Sequence, residues 1–373
     1  MVIKRIYILI IGLLLFNMPV DAQKCVIDAV SHAPVAAASI FDAAGNMVGF
    51  TWSDGVFSEV PESAYPITLR CMGYEQLVIE RPEEKTWEMT PITYELEEVV
   101  IIPVERNVFK PTFYVREYFS MSSKTDTITF FTEHMADCFV PTSKSAKFGG
   151  KSSMRILSSR SYAHYQLAGC DSVGVDPESM FPSMISVFDN LFEELNEKEI
   201  KSPESFKEPG NMTKFLTKPG KSGAAFVMKQ NDQAFTITAD GLADEKDHKI
   251  SPWLLKLIGF TMEFNQLYMT LAYRVNDKGV YLPKDMIEAS LVMEADGRGK
   301  YLRKALNSDT PVKIHSMIEL YMVDRDYLSK DEAKAAYKNK PTHVEFVIPA
   351  TVPPLNEATK RLVERANAEA KKQ

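Results

Sequence analysis

Apolar and polar residues alternate with a period of two along most of this chain, first in short runs and later in long ones, which is the signature of half-buried β-strands. The short runs are Lys24–Asp28, Ala38–Phe41, Met47–Thr51, Val56–Val60, Ile67–Cys71 and Leu77–Ile79. Turn signals at Ala44-Gly45-Asn46, Ser53-Asp54-Gly55 and Gly73-Tyr74 separate them. Strands this short, recurring at about 8–12 residues, predict a β-sandwich over 23–102. A passage punctuated by Pro103 and Pro111 follows, read as a linker over 103–111.

From Thr112 onward the alternation lengthens. Thr127–Val140 and Arg155–Leu167 predict a long antiparallel hairpin, and Ala224–Thr238 a second one around Gln230-Asn231-Asp232. Phe260, Met262 and Phe264 alternate, as do Leu267, Met269, Leu271, Tyr273 and Val275, but the second set is shifted by one residue. A β-bulge near Asn265-Gln266 keeps both sets on one face. Met286–Glu294 and Ile314–Val323 complete the strand candidates, with a turn expected at Ala295–Gly299 before Tyr301–Leu306. Helical periodicity occurs at Met184–Glu199, after the capping box Ser329-Lys330-Asp331-Glu332, and in Leu355, Ala358, Thr359, Leu362, Val363 and Ala366. The fold class is therefore mainly β, or α+β: a sandwich followed, over 112–373, by an antiparallel and curved sheet with a few peripheral helices.

Residues 1–22 have the order of a secretory leader. Lys4 and Arg5 precede an apolar run from Ile6 to Phe16, and Val20 and Ala22 occupy the small-residue positions before Gln23. The run is shorter than the roughly 20 residues of a membrane helix. No later segment is apolar enough to span a bilayer; the strongest, Trp253–Phe264, is broken by Lys256 and Glu263. The expected location is the periplasm or an association with the outer membrane, with no transmembrane segment after cleavage. Cys25 is not the first mature residue, so lipidation there is disfavoured.

Loss of Lys4, Arg5 and Asp21 with the leader takes the formal charge from -7 to -8. An acidic chain with scattered basic residues argues against nucleic acid as a partner. The four cysteines are Cys25, Cys71, Cys138 and Cys170. Export permits disulfides; a Cys25–Cys71 bridge lies within the first domain, and four buried free thiols are the alternative.

The order Val26-x-Asp28, Pro34-Val35, Ala38-Ser39-Ile40, Thr51-x-x-Asp54-Gly55-x-Phe57, Leu69-x-Cys71-Met72-Gly73-Tyr74-Glu75 and Tyr94-Glu95-Leu96-Glu97-Glu98-Val99-Val100-Ile101 resembles the carboxypeptidase regulatory-like domain. The resemblance implies a seven-stranded, transthyretin-like sandwich. It also implies an accessory role, as in the N-terminal extension of TonB-dependent outer-membrane receptors, and it brings no catalytic residues. Lys24 stands where the family usually has glycine. The remaining chain is too short for a plug and a 22-stranded barrel, because each spanning strand takes about 9–11 residues.

Reactive motifs fail on spacing. Gly149-Gly150-Lys151-Ser152 and Gly220-Lys221-Ser222 lack the first glycine of a phosphate loop, and the histidines have no zinc spacing. Glu133-His134-x-x-Asp137-Cys138 is the densest polar group, but on a strand His134 and Cys138 point one way and Glu133 and Asp137 the other. Asp324-Arg325-Asp326 reads as a salt-bridged strand end. Asp126-Thr127-Ile128 and Asp171-Ser172-Val173 resemble the O-glycosylation acceptor motif of some Gram-negative envelope proteins, with Thr127 and Ser172 as acceptors. No catalytic, metal or cofactor residue is assigned. The expected function is a non-enzymatic envelope protein that binds a partner or an apolar ligand, six methionines of the second domain (Met262, Met269, Met286, Met293, Met317 and Met322) being either cavity lining or core. The alternatives are an envelope hydrolase and a structural component of an outer-membrane assembly.

Overall fold

The computed structural model describes residues 24–82, 84–94, 106–142, 146, 154–175, 200–201, 212–216, 225–230, 234–242, 260–275, 280–306, 308–339, 341 and 344–372. The leader, the helix expected at Met184–Glu199 and both glycine-lysine-serine stretches lie outside these residues.

The first domain has six strands among the described residues, against the seven that the resemblance implies: β1 (Cys25–Asp28), β2 (Ser39–Phe41), β3 (Met47–Phe50), β4 (Ile67–Arg70), β5 (Leu77–Ile79) and β6 (Thr86–Met89). They form a four-stranded sheet ordered β3-β2-β4-β5 and a parallel pair β1-β6. Val26, Ile40, Phe57, Ile67, Leu69, Trp87 and Met89 fill the space between. Val56–Val60 is not a strand. Only Val56 bridges, to Cys25, while Phe57 and Val60 still turn inward to the core. The Asp54-Gly55 turn has the expected positive φ, +77° at Gly55, where a Cβ would stand 2.4 Å from the carbonyl oxygen of Val26.

The second domain is built on one open sheet, antiparallel at every pairing. Its strands are β7 (Val108–Ser122), β8 (Thr127–Asp137), β9 (Val140–Pro141), β10 (Arg155–Leu167), β11 (Cys170–Val175), β13 (Met212–Leu216), β14 (Ala225–Gln230), β15 (Ala234–Asp240), β16 (Phe260–Arg274), β18 (Met286–Gly299) and β19 (Val312–Leu328); β12 (Ile200–Lys201) and β17 (Val280–Tyr281) pair separately. The order is β11-β10-β8-β7-β19-β18-β16-β15-β14-β13, with β9 beside β7. Both expected hairpins are present. The bulge is present too: Asn265 is the extra residue between Phe264 and Gln266, and Met262, Phe264 and Leu267 join one cluster. Three helices are described: α1 (Lys300–Leu306), α2 (Lys330–Lys338), which opens with the capping box at Ser329, and α3 (Glu357–Ala370).

Two boundary expectations are corrected. Ala295–Gly299 is not a turn but the end of β18, paired with Phe260–Phe264 of β16 on one side and, over 295–297, with Val312–Ile314 of β19 on the other. Gly297 serves packing there, since a Cβ would stand 2.5 Å from Leu302 and 2.6 Å from Ile314. Pro111 does not end a linker; it lies inside β7. Its missing N–H is tolerated because β8 pairs with β7 only from Thr112 on, and β9 pairs only with Val108 and Phe109.

Alternation gives the sheet two faces. One carries Phe113, Val115, Ala136, Leu271, Leu291, Ile318 and Leu320, in a single apolar cluster. The other carries Tyr118, Phe131, Val292 and Met317, and the sandwich docks on it. Ala37, Phe41, Met47 and Phe50 of the sandwich share one core with these residues and with Leu362 and Ala366 of α3. The sandwich and the sheet are thus joined by a common core.

Candidate functional site

Beneath the docked sandwich lies a line of buried ionisable groups. Arg70 ends β4 and is 1% exposed; its guanidinium donates to Glu319 at 2.8 Å and to the Tyr118 hydroxyl, lying over that ring at 5.0 Å. Glu319 is 2% exposed, so the pair crosses the interface out of reach of water. One strand away, fully buried Glu288 accepts from the Tyr94 hydroxyl and from the Gly73 amide. Both donors are neutral. Burial, with Glu319 adding repulsion, pushes the Glu288 carboxyl up to about 7 from its ordinary 4.5. Burial, and after it the Glu288 carboxylate, hold the Tyr94 hydroxyl well above its usual range.

A second network fastens the chain between α2 and α3. Arg160 donates to Glu133 at 2.5 Å, and Glu133 also accepts from Tyr114. Arg116 donates to the Tyr114 hydroxyl at 2.9 Å and to the Pro353 carbonyl at 2.6 Å. Phe346 lies under the Arg160 guanidinium at 4.3 Å. Ser158 accepts from the Val344 amide at 2.9 Å and donates to the Val344 carbonyl at 2.5 Å. These contacts lay residues 344–354, with a turn at Pro349–Val352, as an arm across the docked face, with Val344, Phe346 and Val352 packed on Tyr114, Met135 and Tyr321.

Between the sandwich edge, the arm and the end of the sheet opens a cleft of about 690 Å3. Ile92 and Tyr94 come from the sandwich side, Pro349 and Val352 from the arm, and Ile287 and Met322 from the sheet. Two bulges shape this end. Ile287 is an extra residue in β18, between the pairs Ala272–Glu288 and Tyr273–Met286. Val323 is an extra residue in β19, between Met322 and Asp324. Bulges bend a strand and re-aim its side chains; here Ile287, and Arg325 just past Val323, both line the cleft. Arg274, the last residue of β16, lines it as well, and Glu75 stands on the sandwich side.

The residues singled out in the sequence are dispersed. Cys25 faces Thr86 at 3.5 Å, Cys71 donates to the Ala36 carbonyl at 3.5 Å, and all four cysteines are free thiols in this structure. His134 is held 3.5 Å from Glu117, while Asp137 makes a two-pronged pair with Arg155 at 2.9 and 2.7 Å. Glu133 and Asp137 thus serve as structural anchors on one face, with His134 on the other. Asp326 lies 4.0 Å from Lys110, and Arg325 instead holds main-chain carbonyls of Lys284 and Met286. Thr127 opens β8, paired with Ser122 on one side and Gln166 on the other, and Asp126 is buried against the Ala168 amide at 2.6 Å. Ser172 is exposed on β11, beside an Asp171 paired with His164 and Arg365. Of the two acceptor candidates, Thr127 is half-buried and Ser172 exposed.

Arg70, Glu288 and Glu319 were not singled out in the sequence, and Tyr94 entered only as part of the family-like exit segment. Their trace is legible in retrospect: a lone charge interrupts an apolar strand in Ile67-Thr68-Leu69-Arg70, Met286-Ile287-Glu288-Ala289 and Ile318-Glu319-Leu320. A buried charge of that kind needs a partner, and pairing them required the docked geometry. Among the described residues no three His, Cys, Asp or Glu side chains converge as a metal site, and no helix is long and apolar enough to cross a membrane. No family model matches the chain, and no curated protein is similar to it.

Proposed function

We propose that this is an exported, non-enzymatic protein of the cell envelope, periplasmic or associated with the outer membrane, that binds a small apolar ligand at the junction of its two domains. The observation that carries the reading is the cleft of about 690 Å3, a size typical of ligand sites, which are about 300–1,000 Å3. Its walls mix aliphatic side chains and prolines with polar and charged groups, Glu75, Gln76, Thr93, Tyr94, Arg274, Arg325 and Thr351. That is a composition for holding a ligand rather than for transforming one: Glu288, the carboxyl with the most altered acidity beside it, is fully buried under Tyr94. In this reading the sandwich is more than an accessory, because it supplies one wall of the site. The leader-like residues 1–22 support export.

Native mass spectrometry of the protein purified gently from its own envelope tests this. A discrete added mass, lost on denaturation and absent from an Ile287→Glu variant, is the expected result. A bare chain in every preparation would overturn the reading and turn attention to protein partners.

A further inference from the structure

A smaller cavity of about 70 Å3 lies beneath the sandwich, with Cys71 and Gly73 on one side and Thr236 and Thr270 of the sheet on the other. Ile92 and Tyr94 line both this cavity and the cleft, so they form the partition between the two. The partition is tied to the turn after β4. The Ile92 amide donates to the Gly73 carbonyl at 2.9 Å, and the Glu75 amide to the Thr90 carbonyl at 2.8 Å. The two segments are therefore coupled, and Glu288 of the sheet accepts from both, from the Gly73 amide and from the Tyr94 hydroxyl.

The charges around Glu288 make this contact conditional. On the sandwich side stand Tyr94 and, beside it, Cys71. From β19 come Glu319 and Tyr321, the residue paired with Glu288. On β16 the residue opposite is Ala272, with Arg274 two positions on. Arg70 is committed to Glu319 and Tyr118, and Arg116 to Tyr114 and Pro353. Among the described residues no cation is paired with Glu288, and Glu319 adds a second negative charge one strand away. An ionised carboxylate in this place exchanges its hydration for two neutral donors, a loss the neutral acid does not suffer. Lifting the partition returns that hydration.

We propose that Glu288 is a proton-operated latch: with its proton it keeps the partition of Ile92 and Tyr94 closed, and without it the partition lifts and joins the inner cavity to the cleft. The latch acts whether or not a ligand occupies the cleft. Closed, Glu288 keeps its proton up to about pH 7; open to water, it loses the proton near 4.5. The opening constant therefore rises about tenfold per pH unit between these values, about 300-fold in all, and levels off above 7. Burial holds the Tyr94 hydroxyl protonated throughout, so it remains a donor.

The test is hydrogen exchange read by mass spectrometry on the full mature chain from pH 5 to pH 8, each rate corrected for chemical exchange. The amides of Gly73, Glu75 and Ile92 are expected to exchange ahead of those of β8, with opening that climbs to pH 7 and then levels. Glu288→Gln, which keeps an acceptor but has no proton to lose, is expected to give a flat profile. Tyr94→Phe, which lacks the donor, is expected to open more than the parent at pH 5. Protected β8 amides in each variant show that the fold is intact. A flat profile in the parent chain would overturn the latch by itself. So would a Glu288→Gln profile as steep as the parent's, or a Tyr94→Phe variant as closed as the parent at pH 5. Partition amides no faster than those of β8 would also overturn it, because only the whole chain would then be opening.

Discussion

Replacing Arg70 by methionine removes the cation from a pair whose members are 1% and 2% exposed. The surviving Glu319 carboxylate then has no counter-charge in a place water does not reach, and the Tyr118 hydroxyl loses its donor. Breaking a buried pair from one side costs about 3–5 kcal/mol. Against a total stability of roughly 5–15 kcal/mol, that is a fifth or more. Replacing both members behaves differently, because buried ion pairs repay their desolvation poorly and apolar substitutes of similar volume are neutral to stabilising by about 1–4 kcal/mol. The unpartnered Tyr118 hydroxyl offsets this by about 1–3 kcal/mol. Arg70→Met with Glu319→Leu is therefore expected near the parent chain and well above the single variant. The assay is urea unfolding followed by fluorescence of the three tryptophans, of which Trp52 and Trp87 belong to the sandwich. Because the sandwich and the sheet share one core, a single transition is expected, with a lower midpoint for Arg70→Met. A single variant within about 1 kcal/mol of the parent would refute the reasoning, as would a double variant no better than the single; either would mean that the pair is hydrated or that the interface is not cooperative.

Glu288 gives the protein a pH dependence of defined sign. Its folded carboxyl binds a proton up to about pH 7, whereas the unfolded one loses it near 4.5. The contribution is therefore fully present below pH 4.5 and is lost as the pH rises through 7, a change of about 3 kcal/mol. Urea midpoints at pH 5 and pH 8 should differ accordingly, and Glu288→Gln should flatten that difference; a parent chain more stable at pH 8 than the variant would contradict the assignment. Gly55→Ala forces a side chain into φ +77° and against the Val26 carbonyl, with an expected loss of about 1–3 kcal/mol in thermal or urea unfolding. Ser329→Ala removes the cap of α2, whose side chain accepts from the Glu332 amide. It should cost about 1 kcal/mol, seen as faster hydrogen exchange confined to the amides of α2.

The strands, the capped helix and the Asn265 bulge were legible in the sequence because each is a local consequence of periodicity. A one-residue slip in the alternation from Phe264 to Leu267 can be absorbed only by an extra residue. A serine three residues before glutamate closes its own hydrogen-bonded box at the start of α2. The turn expected at Ala295–Gly299 and the break expected at Pro111 were misread for one reason. Glycine and proline look alike as punctuation whether they end an element or fit a crowded or unpaired place inside one. Gly297 is set by the approach of Leu302 and Ile314, and Pro111 by the gap between β8 and β9.

Composition and periodicity therefore determined that this chain makes short strands and then long ones, and which residues turn inward. The tertiary structure alone decided that the sandwich lies on the face carrying Tyr118, Glu288 and Glu319, so that Arg70 and Tyr94 meet partners 249 and 194 residues away. It also decided that two bulges and the 344–354 arm enclose a cleft at one end of the sheet. Pairings at such separations depend on which surfaces dock. Docking is settled by the summed fit of a whole core, and no single stretch of sequence contains that information.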